Sequence, residues 1–403
     1  MKVLFIVTAY PRDEADIITP WMGETIERLQ KSGTEVEVLA PAYRGSTSGV
    51  LRGVMVHRFR YGPAMLETLT HDVPALDRIA ANPLTGLLLP SYIVAGSRAA
   101  ARIARDGNFD VVHAFWPIPH GLFGLAARDA SKAAMVSTFF SSELNWTGPA
   151  RKIFGPLLRK IVRRSDTVTV ISSYTGKRLR EFVPMVDTVT IPFGAAAVNH
   201  VVSASVPRAA SDPFELLFVG RLVRRKGVDV LLRAVDPLKN DARLTVRIVG
   251  GGPEKAALEQ LASRLSLGER VKFEGVVPAE QIDLLFSRCD ALVLPAIVTE
   301  TGETEGLGVV LIEAMGYGKL VIATSAGGIV DIVSDGETGL SVPPGEPEAL
   351  AGAIRNAMDR PMEMIEIAKR GSAFAERAFG WDAIVSDLSN VYRSAVEVRG
   401  SSR

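Results

Sequence analysis

Short apolar runs rich in Val, Ile, Leu and Phe punctuate the first half of the chain: VLFIV (3–7), VEVLA (36–40), DVVHAF (110–115), AMVSTFF (134–140) and DTVTVIS (166–172). Each reads as a short strand of the buried type. Segments of helical spacing separate them. In WMGETIERLQKSG (21–33) the apolar residues keep a helical period until Gly33 stops it. The alternation lapses in IPFGAAAVNHVVSASVPRAASDPF (191–214), which is rich in Ala, Ser, Val and Pro and holds no period. That stretch is predicted as an interdomain linker with its flanks. The alternation then resumes with ELLFVGRL (215–222), RLTVRIVGGG (243–252), RVKFEGVV (270–277), DALVLPA (290–296), KLVIATSAGG (319–328) and TGLSVPPG (338–345). Strand–helix alternation over this length predicts an α/β protein of two doubly wound, Rossmann-like domains with parallel sheets. Ligands in such sheets sit beyond the carboxyl ends of the strands, and a cleft between the two domains is the expected site.

Composition agrees with this and removes other classes. A chain of 403 residues exceeds one ordinary core and fits two domains of about 200. A net charge of +1 with 47% hydrophobic residues fits a soluble globular protein and argues against a nucleic-acid binder. The single cysteine, Cys289, excludes an internal disulfide and a cysteine-rich metal site, and it fits a reducing compartment. The start, MKVLFIVTAYPRDEAD, reads as a first core strand and not as a signal peptide. PLTGLLLPSYIVAG (83–96) is too short and too interrupted to span a bilayer. A cytoplasmic protein is the expectation.

Three stretches carry candidate chemistry. In FVGRLVRRKGVDVLLRAV (218–235) a strand ends at Gly220, and Arg221 and Lys226 project from the loop before a helix. A planar fork and a mobile ammonium there suit a diphosphate. They equally suit a solvated loop. In RIVGGGPEKAALEQLA (247–262) the dinucleotide spacing fails, because Lys255 stands where the last glycine belongs. A tight turn with close backbone packing is the better reading. TETGETEGLGVVLIEAMGYG (299–318) holds four glutamates. Here GLG (306–308) is predicted as the first turn of a helix, with free N–H groups. Glu305 sits at the lip, and Glu313 lies eight residues further, in an apolar run. A carboxylate in that setting is costly unless it accepts hydrogen bonds, and the diol of a ribose supplies two. Glu300 and Glu303 read as a solvated acidic loop. A fourth stretch, RKIFGPLLRKIVRR (151–164), sets Ile153, Phe154, Leu157, Leu158, Ile161 and Val162 opposite basic residues. Packing of that face on the sheet is favoured over peripheral contact with anionic lipid.

Taken together, E-x7-E from Glu305 to Glu313, GRL with its downstream Lys-Gly, VGGGPE, and GGIVDIVSDGETGLSVPPG (327–345) resemble glycosyltransferase family 4, of GT-B fold. The resemblance is most specific over 214–380, weaker over 1–195, and extends to FGWDAIVSDLSNVYRSAV (379–396). It implies a retaining transfer from a nucleotide-diphosphate sugar to a hydroxyl of a glycan, lipid-linked or small-molecule acceptor. It also implies an acceptor domain over 1–195, a donor domain over 196–380, and a terminal helix, about 381–403, that crosses back to the first domain. On the matching positions, Arg221 and Lys226 bind the diphosphate and Glu305 faces the donor sugar, the three acting as the catalytic set. The Gly306, Leu307 and Gly308 amides, with Val309 beside them, hold sugar hydroxyls. Glu313 holds the ribose, and Val277 meets the base through its backbone. The resemblance implies no metal or other cofactor, and the chain has no Asp-x-Asp. Two positions depart from the pattern. Phe140 stands where the family has a histidine, and the first loop, YPRDEADIITPWM (10–22), lacks glycine. His120, in FWPIPHGLFG (115–124), is expected to face the cleft, to cap a helix or to be merely exposed. A nucleotide-sugar epimerase and a non-catalytic sugar-binding protein are the rival readings.

Overall fold

The computed structural model describes residues 1–16, 18–73, 75–145, 148–194 and 209–401. The middle of the predicted linker, 195–208, lies outside the described residues. The chain forms two compact units. One comprises Met1–Ile171, Thr175–Ile191 and Ile384–Arg403, and the other comprises Ser172–Tyr174 and Pro192–Ala383. The change of unit thus falls at 191/192 and again at 383/384, beside the expected 195/196 and 380/381.

The first unit holds strands β1 (Lys2–Ile6), β2 (Glu35–Pro41), β3 (Gly49–Leu51), β4 (Val54–Phe59), β5 (Val111–Phe115), β6 (Ala134–Phe139), β7 (Thr167–Val170) and β8 (Val189–Thr190). Their order in the sheet is β3-β4-β2-β1-β5-β6-β7-β8. Only β3 runs antiparallel, against β4. The central strands match the apolar runs: Val3, Leu4, Phe5 and Ile6 of β1 are wholly buried. The strands that the pattern did not predict, β3, β4 and β8, lie at or beside the sheet edges. Val50 and Met55 there are exposed, so no sustained apolar run marks them.

Helix Trp381–Ser401 completes this unit, as the resemblance implied. The tie is polar and fully buried. The Tyr392 hydroxyl meets His113 Nδ1 at 2.9 Å, and the Thr138 hydroxyl meets His113 Nε2 at 2.6 Å. Burial pulls the His113 pKa down to about 3. The ring is therefore neutral, with one donor and one acceptor nitrogen, and the two hydroxyls fill both roles.

The second unit holds β9 (Phe214–Val219), β10 (Leu244–Val249), β11 (Val271–Gly275), β12 (Ala291–Leu294), β13 (Leu320–Thr324) and β14 (Leu340–Val342). The order is β11-β10-β9-β12-β13-β14, and every pair is parallel. All six were predicted. Because the strands are parallel, their carboxyl ends share one edge. The order reverses direction between β9 and β12, the topological switch point of this sheet. Those two strands pair at Ala291–Leu216 and Leu292–Leu217, so the loops that follow them leave the sheet at the edge where ligands bind in such folds.

The His113 tie gives a stability test. Tyr392→Phe strands a buried ring nitrogen without a partner and should cost about 1–3 kcal/mol of unfolding free energy in a urea titration. A loss below about 0.5 kcal/mol would show that the terminal helix docks without that bond.

Candidate functional site at the carboxyl edge of the second sheet

The loops after β9 and β12 touch backbone to backbone. The Ile297 amide donates to the Arg225 carbonyl at 2.9 Å. Gly227 has φ of 65°, and a Cβ there would stand 1.9 Å from the Pro295 carbonyl oxygen, so only glycine permits the approach. The triple glycine after β10 serves the same end. A Cβ on Gly250 would meet the Gly220 carbonyl oxygen at 1.9 Å, which is the close packing expected of that turn.

This approach brings Lys226 to Glu305. The Nζ–Oε2 distance is 2.6 Å, and Arg225 Nη1 lies 3.8 Å from the same oxygen. The Lys226 and Glu305 side chains are largely buried. Burial pushes the Glu305 pKa up, but the charges of Lys226 and Arg225 outweigh it and hold the pKa below the ordinary glutamate value. Glu305 is therefore an anion at neutral pH, set between two cations. From its other side, Gly328 N–H donates to the Glu305 carbonyl at 2.9 Å, and a Cβ on Gly327 would come within 2.0 Å of that oxygen. The lip is thus held on both flanks.

Beyond the lip, helix Val309–Gly316 begins at Gly308, with φ of 96°. The amides of Gly306, Leu307 and Gly308 donate to no acceptor among the described residues, and Leu307 is almost fully buried. Val309 opens the helix. Glu313 follows on its second turn, half-buried and without an ion pair among the described residues. Burial and then the charge of Asp283 push its pKa up, while Lys226 pulls it down. Arg221 is exposed and makes no ion pair among the described residues. Val277 lies half-buried just past the end of β11. Glu300 and Glu303 sit exposed on a turn closed by the Glu303 amide donating to Thr299 Oγ1 at 3.0 Å, as a solvated acidic loop should.

Two comparisons of the sequence agree on what this arrangement belongs to. The family described as "Glycosyl transferases group 1" matches residues 204–375, and "Glycosyltransferase Family 4" matches residues 21–195. The chain belongs to glycosyltransferase family 4. A GDP-mannose-dependent alpha-(1-6)-phosphatidylinositol monomannoside mannosyltransferase of Mycolicibacterium smegmatis is 28% identical over 80% of this chain and 85% of its own. A D-inositol 3-phosphate glycosyltransferase of Streptomyces scabiei is 27% identical over 93% and 86%. Among solved structures, sucrose-phosphate synthase of Thermosynechococcus elongatus shares the fold with a TM-score of 0.75 at 23% identity, covering 98% of each chain. Both units are the α/β halves of a GT-B glycosyltransferase.

Sequence reasoning missed one residue of this charged cluster. Arg225 was hidden in the run Arg224-Arg225-Lys226, and its neighbour Arg224 turns away to pair with Asp229 at 3.1 Å. In the first unit, the expectation for His120 is corrected. His120 is not exposed. It is wholly buried: Nδ1 meets the Phe115 and Trp116 carbonyls at 3.1 Å, and Nε2 meets the Tyr92 hydroxyl at 3.0 Å. Burial lowers its pKa to about 4, so it is a neutral structural group. Phe140 is 8% exposed and stacks on Trp116 at 4.1 Å. Its amide donates to the buried Glu143 at 2.8 Å, whose pKa burial raises to about 7. In helix Gly148–Arg164, Leu158, Ile161 and Val162 are buried in the core, while Ile153 and Phe154 stay exposed.

Glu313 supplies a pH test with a definite sign. Its raised pKa means the folded state binds the proton more tightly, so its favourable contribution exists at low pH and is lost as pH rises through that value. Glu313→Gln should therefore melt above the wild type at pH 7, and the gap should close as pH falls below the ordinary glutamate range. An equal or lower melting temperature at pH 7 would mean that the carboxylate is already satisfied.

Proposed function

We propose that this glycosyltransferase moves a sugar from a nucleoside-diphosphate donor to an acceptor hydroxyl with retention at the anomeric carbon. The observation that carries the reading is the Lys226–Glu305 pair at the switch point, with Arg225 beside it. Departure of a nucleoside diphosphate leaves negative charge on phosphate oxygens. Fixed cations stabilise that charge best where water is scarce. Lys226 and Arg225 are such cations, and the exposed Arg221 adds a third from the same loop. When a donor arrives, its phosphates compete with Glu305 for Lys226. Glu305 is then released, still ionised, to accept from hydroxyls of the transferred sugar.

The open amides of Gly306, Leu307 and Gly308 donate to oxygen atoms of the same sugar. Glu313, half-buried and unpaired, accepts from the two ribose hydroxyls, an exchange that relieves its burial cost. The backbone beside Val277, past β11, is placed to read the base. Retention is carried by the E-x7-E resemblance. The names of the relatives, a GDP-mannose-dependent enzyme and a D-inositol 3-phosphate glycosyltransferase, support a nucleotide-linked donor and a hydroxyl-rich acceptor. The first unit, whose edge loops differ most from the family pattern, holds the acceptor. No helix among the described residues is long and apolar enough to cross a membrane. Exposed Ile153 and Phe154, beside Arg151 and Lys152, fit peripheral contact with an anionic surface.

Arg221→Ala and Lys226→Ala should each lower kcat/KM for the donor by roughly 10²-fold. Loss of the exposed Arg221 should leave the melting temperature within a few degrees of wild type, whereas Lys226→Ala, which strips the largely buried Glu305 of its nearest cation, should lower it further. Near wild-type turnover in either variant would place the phosphates elsewhere. Because protein cations neutralise the leaving group, activity should also survive EDTA. Complete loss in EDTA, restored by Mg²⁺ or Mn²⁺, would transfer that role to a metal and point to Glu300 and Glu303.

A further inference from the structure

A recess of about 260 Å³ opens on the first unit, lined by Arg12, Asp16, Ile18, Tyr43, Arg44, His71 and Asp72. Its walls come from the segments after β1, β2 and β4, three adjacent strands, and so from the carboxyl edge of that sheet. The side chains form an ordered array. Asp16 Oδ2 accepts from Arg12 Nε at 2.6 Å and lies 2.9 Å from His71 Nε2. His71 stacks on Tyr43 with ring centroids 4.5 Å apart. The guanidinium groups of Arg12 and Arg44 lie 5.5 and 5.3 Å from the Tyr43 centroid.

The charges around this array do not balance. Asp16 is matched by Arg12, and Asp72 by Arg78 at 2.5 Å. Nearby Glu67 is matched by Arg60, and Glu14 by Arg52. Arg44 is exposed and has no carboxylate partner among the described residues. Arg58 sends Nη2 to the carbonyls of Tyr10 and Pro11 at 3.0 and 2.5 Å. It too has no carboxylate partner among the described residues, and its Nη1 is buried with no hydrogen-bond partner. Burial lowers the Arg58 pKa to about 10, with the charges of Tyr10 and Asp16 acting against that fall. Asp13, which accepts only from the Ala15 and Asp16 amides and has no ion pair among the described residues, offsets one of these two charges and leaves one for an entering anion to neutralise.

We propose that this recess seats a phosphate group carried by the acceptor, gripped by the free edges of the Arg12 and Arg44 guanidinium groups. A tetrahedral phosphate offers oxygens to two forks at once, whereas a planar carboxylate is filled by one. Asp16 positions Arg12 and His71, and the Tyr43 ring centroid lies within 5.5 Å of both guanidinium groups. This rests on the reading that the first unit holds the acceptor.

The test uses the full chain and glycerol 3-phosphate, with glycerol as the control, titrated by calorimetry. Glycerol 3-phosphate should bind wild type and Arg221→Ala alike. Arg44→Gln and Arg12→Gln should each weaken it about 10-fold or more, with Arg44→Lys intermediate and Arg44→Gln melting like wild type. Pelleting with phosphatidylglycerol vesicles, against phosphatidylcholine, separates the sources. Loss of pelleting in Arg44→Gln assigns the phosphate to a lipid headgroup, and unchanged pelleting assigns it to a soluble acceptor. Unchanged affinity in Arg44→Gln overturns the proposal. So does loss of binding in Arg221→Ala, which would put the anion in the donor site. Nucleotide affinity of Arg221→Ala, measured alongside, tests the donor reading by itself, so either can fail alone.

Discussion

The approach of Gly227 to the Pro295 carbonyl is the constraint on which the site of the second unit depends. Two loops that follow strands on either side of a switch point do not ordinarily touch, because side chains hold backbones apart. Removing one Cβ lets them close, and the closure turns a loop lysine into the partner of a glutamate 79 positions later in the sequence. The same device recurs at Gly327 and Gly328, which let the loop after β13 press on the carbonyls of Glu305 and Gly306. The charged pair is held by backbone contact, so its geometry does not rely on flexible side chains for support.

The two glutamates of the motif respond to burial in opposite ways for a single reason, namely distance from the cations. Glu305 touches Lys226, and the attraction exceeds the desolvation cost. Glu313 feels Lys226 only through space, faces Asp283 as well, and keeps a raised pKa. One carboxylate is thereby stabilised as an anion, and the other is left under tension that hydrogen-bond donors would relieve. A half-buried acid without a partner reduces stability in the empty protein, a cost often found where binding residues wait for a ligand.

The first unit divides its polar groups differently. His113 and His120 lie within the core with both ring nitrogens satisfied, and they hold the terminal helix and the helix after β5 in place. At the carboxyl edge of the sheet, Arg44 and Arg58 carry charge that no carboxylate among the described residues answers.

Much of this was legible in the sequence. The six strands of the second unit were readable because each is buried on both faces, which forces a continuous apolar run. Glu305, Glu313, Arg221 and Lys226 were readable because strand ends and a glycine turn fixed where they had to lie. Strands β3, β4 and β8 were not, since edge strands are half exposed and leave no apolar signature. The burial of His120 could not be read either, because a histidine after a strand looks alike whether its ring meets solvent or the Tyr92 hydroxyl. The participation of Arg225 and the gathering of Arg12, Arg44 and His71 were decided only by tertiary structure. Local pattern sets which residues leave a strand end, but which of three consecutive cations turns inward, and which distant loops share a recess, depends on how separate segments pack.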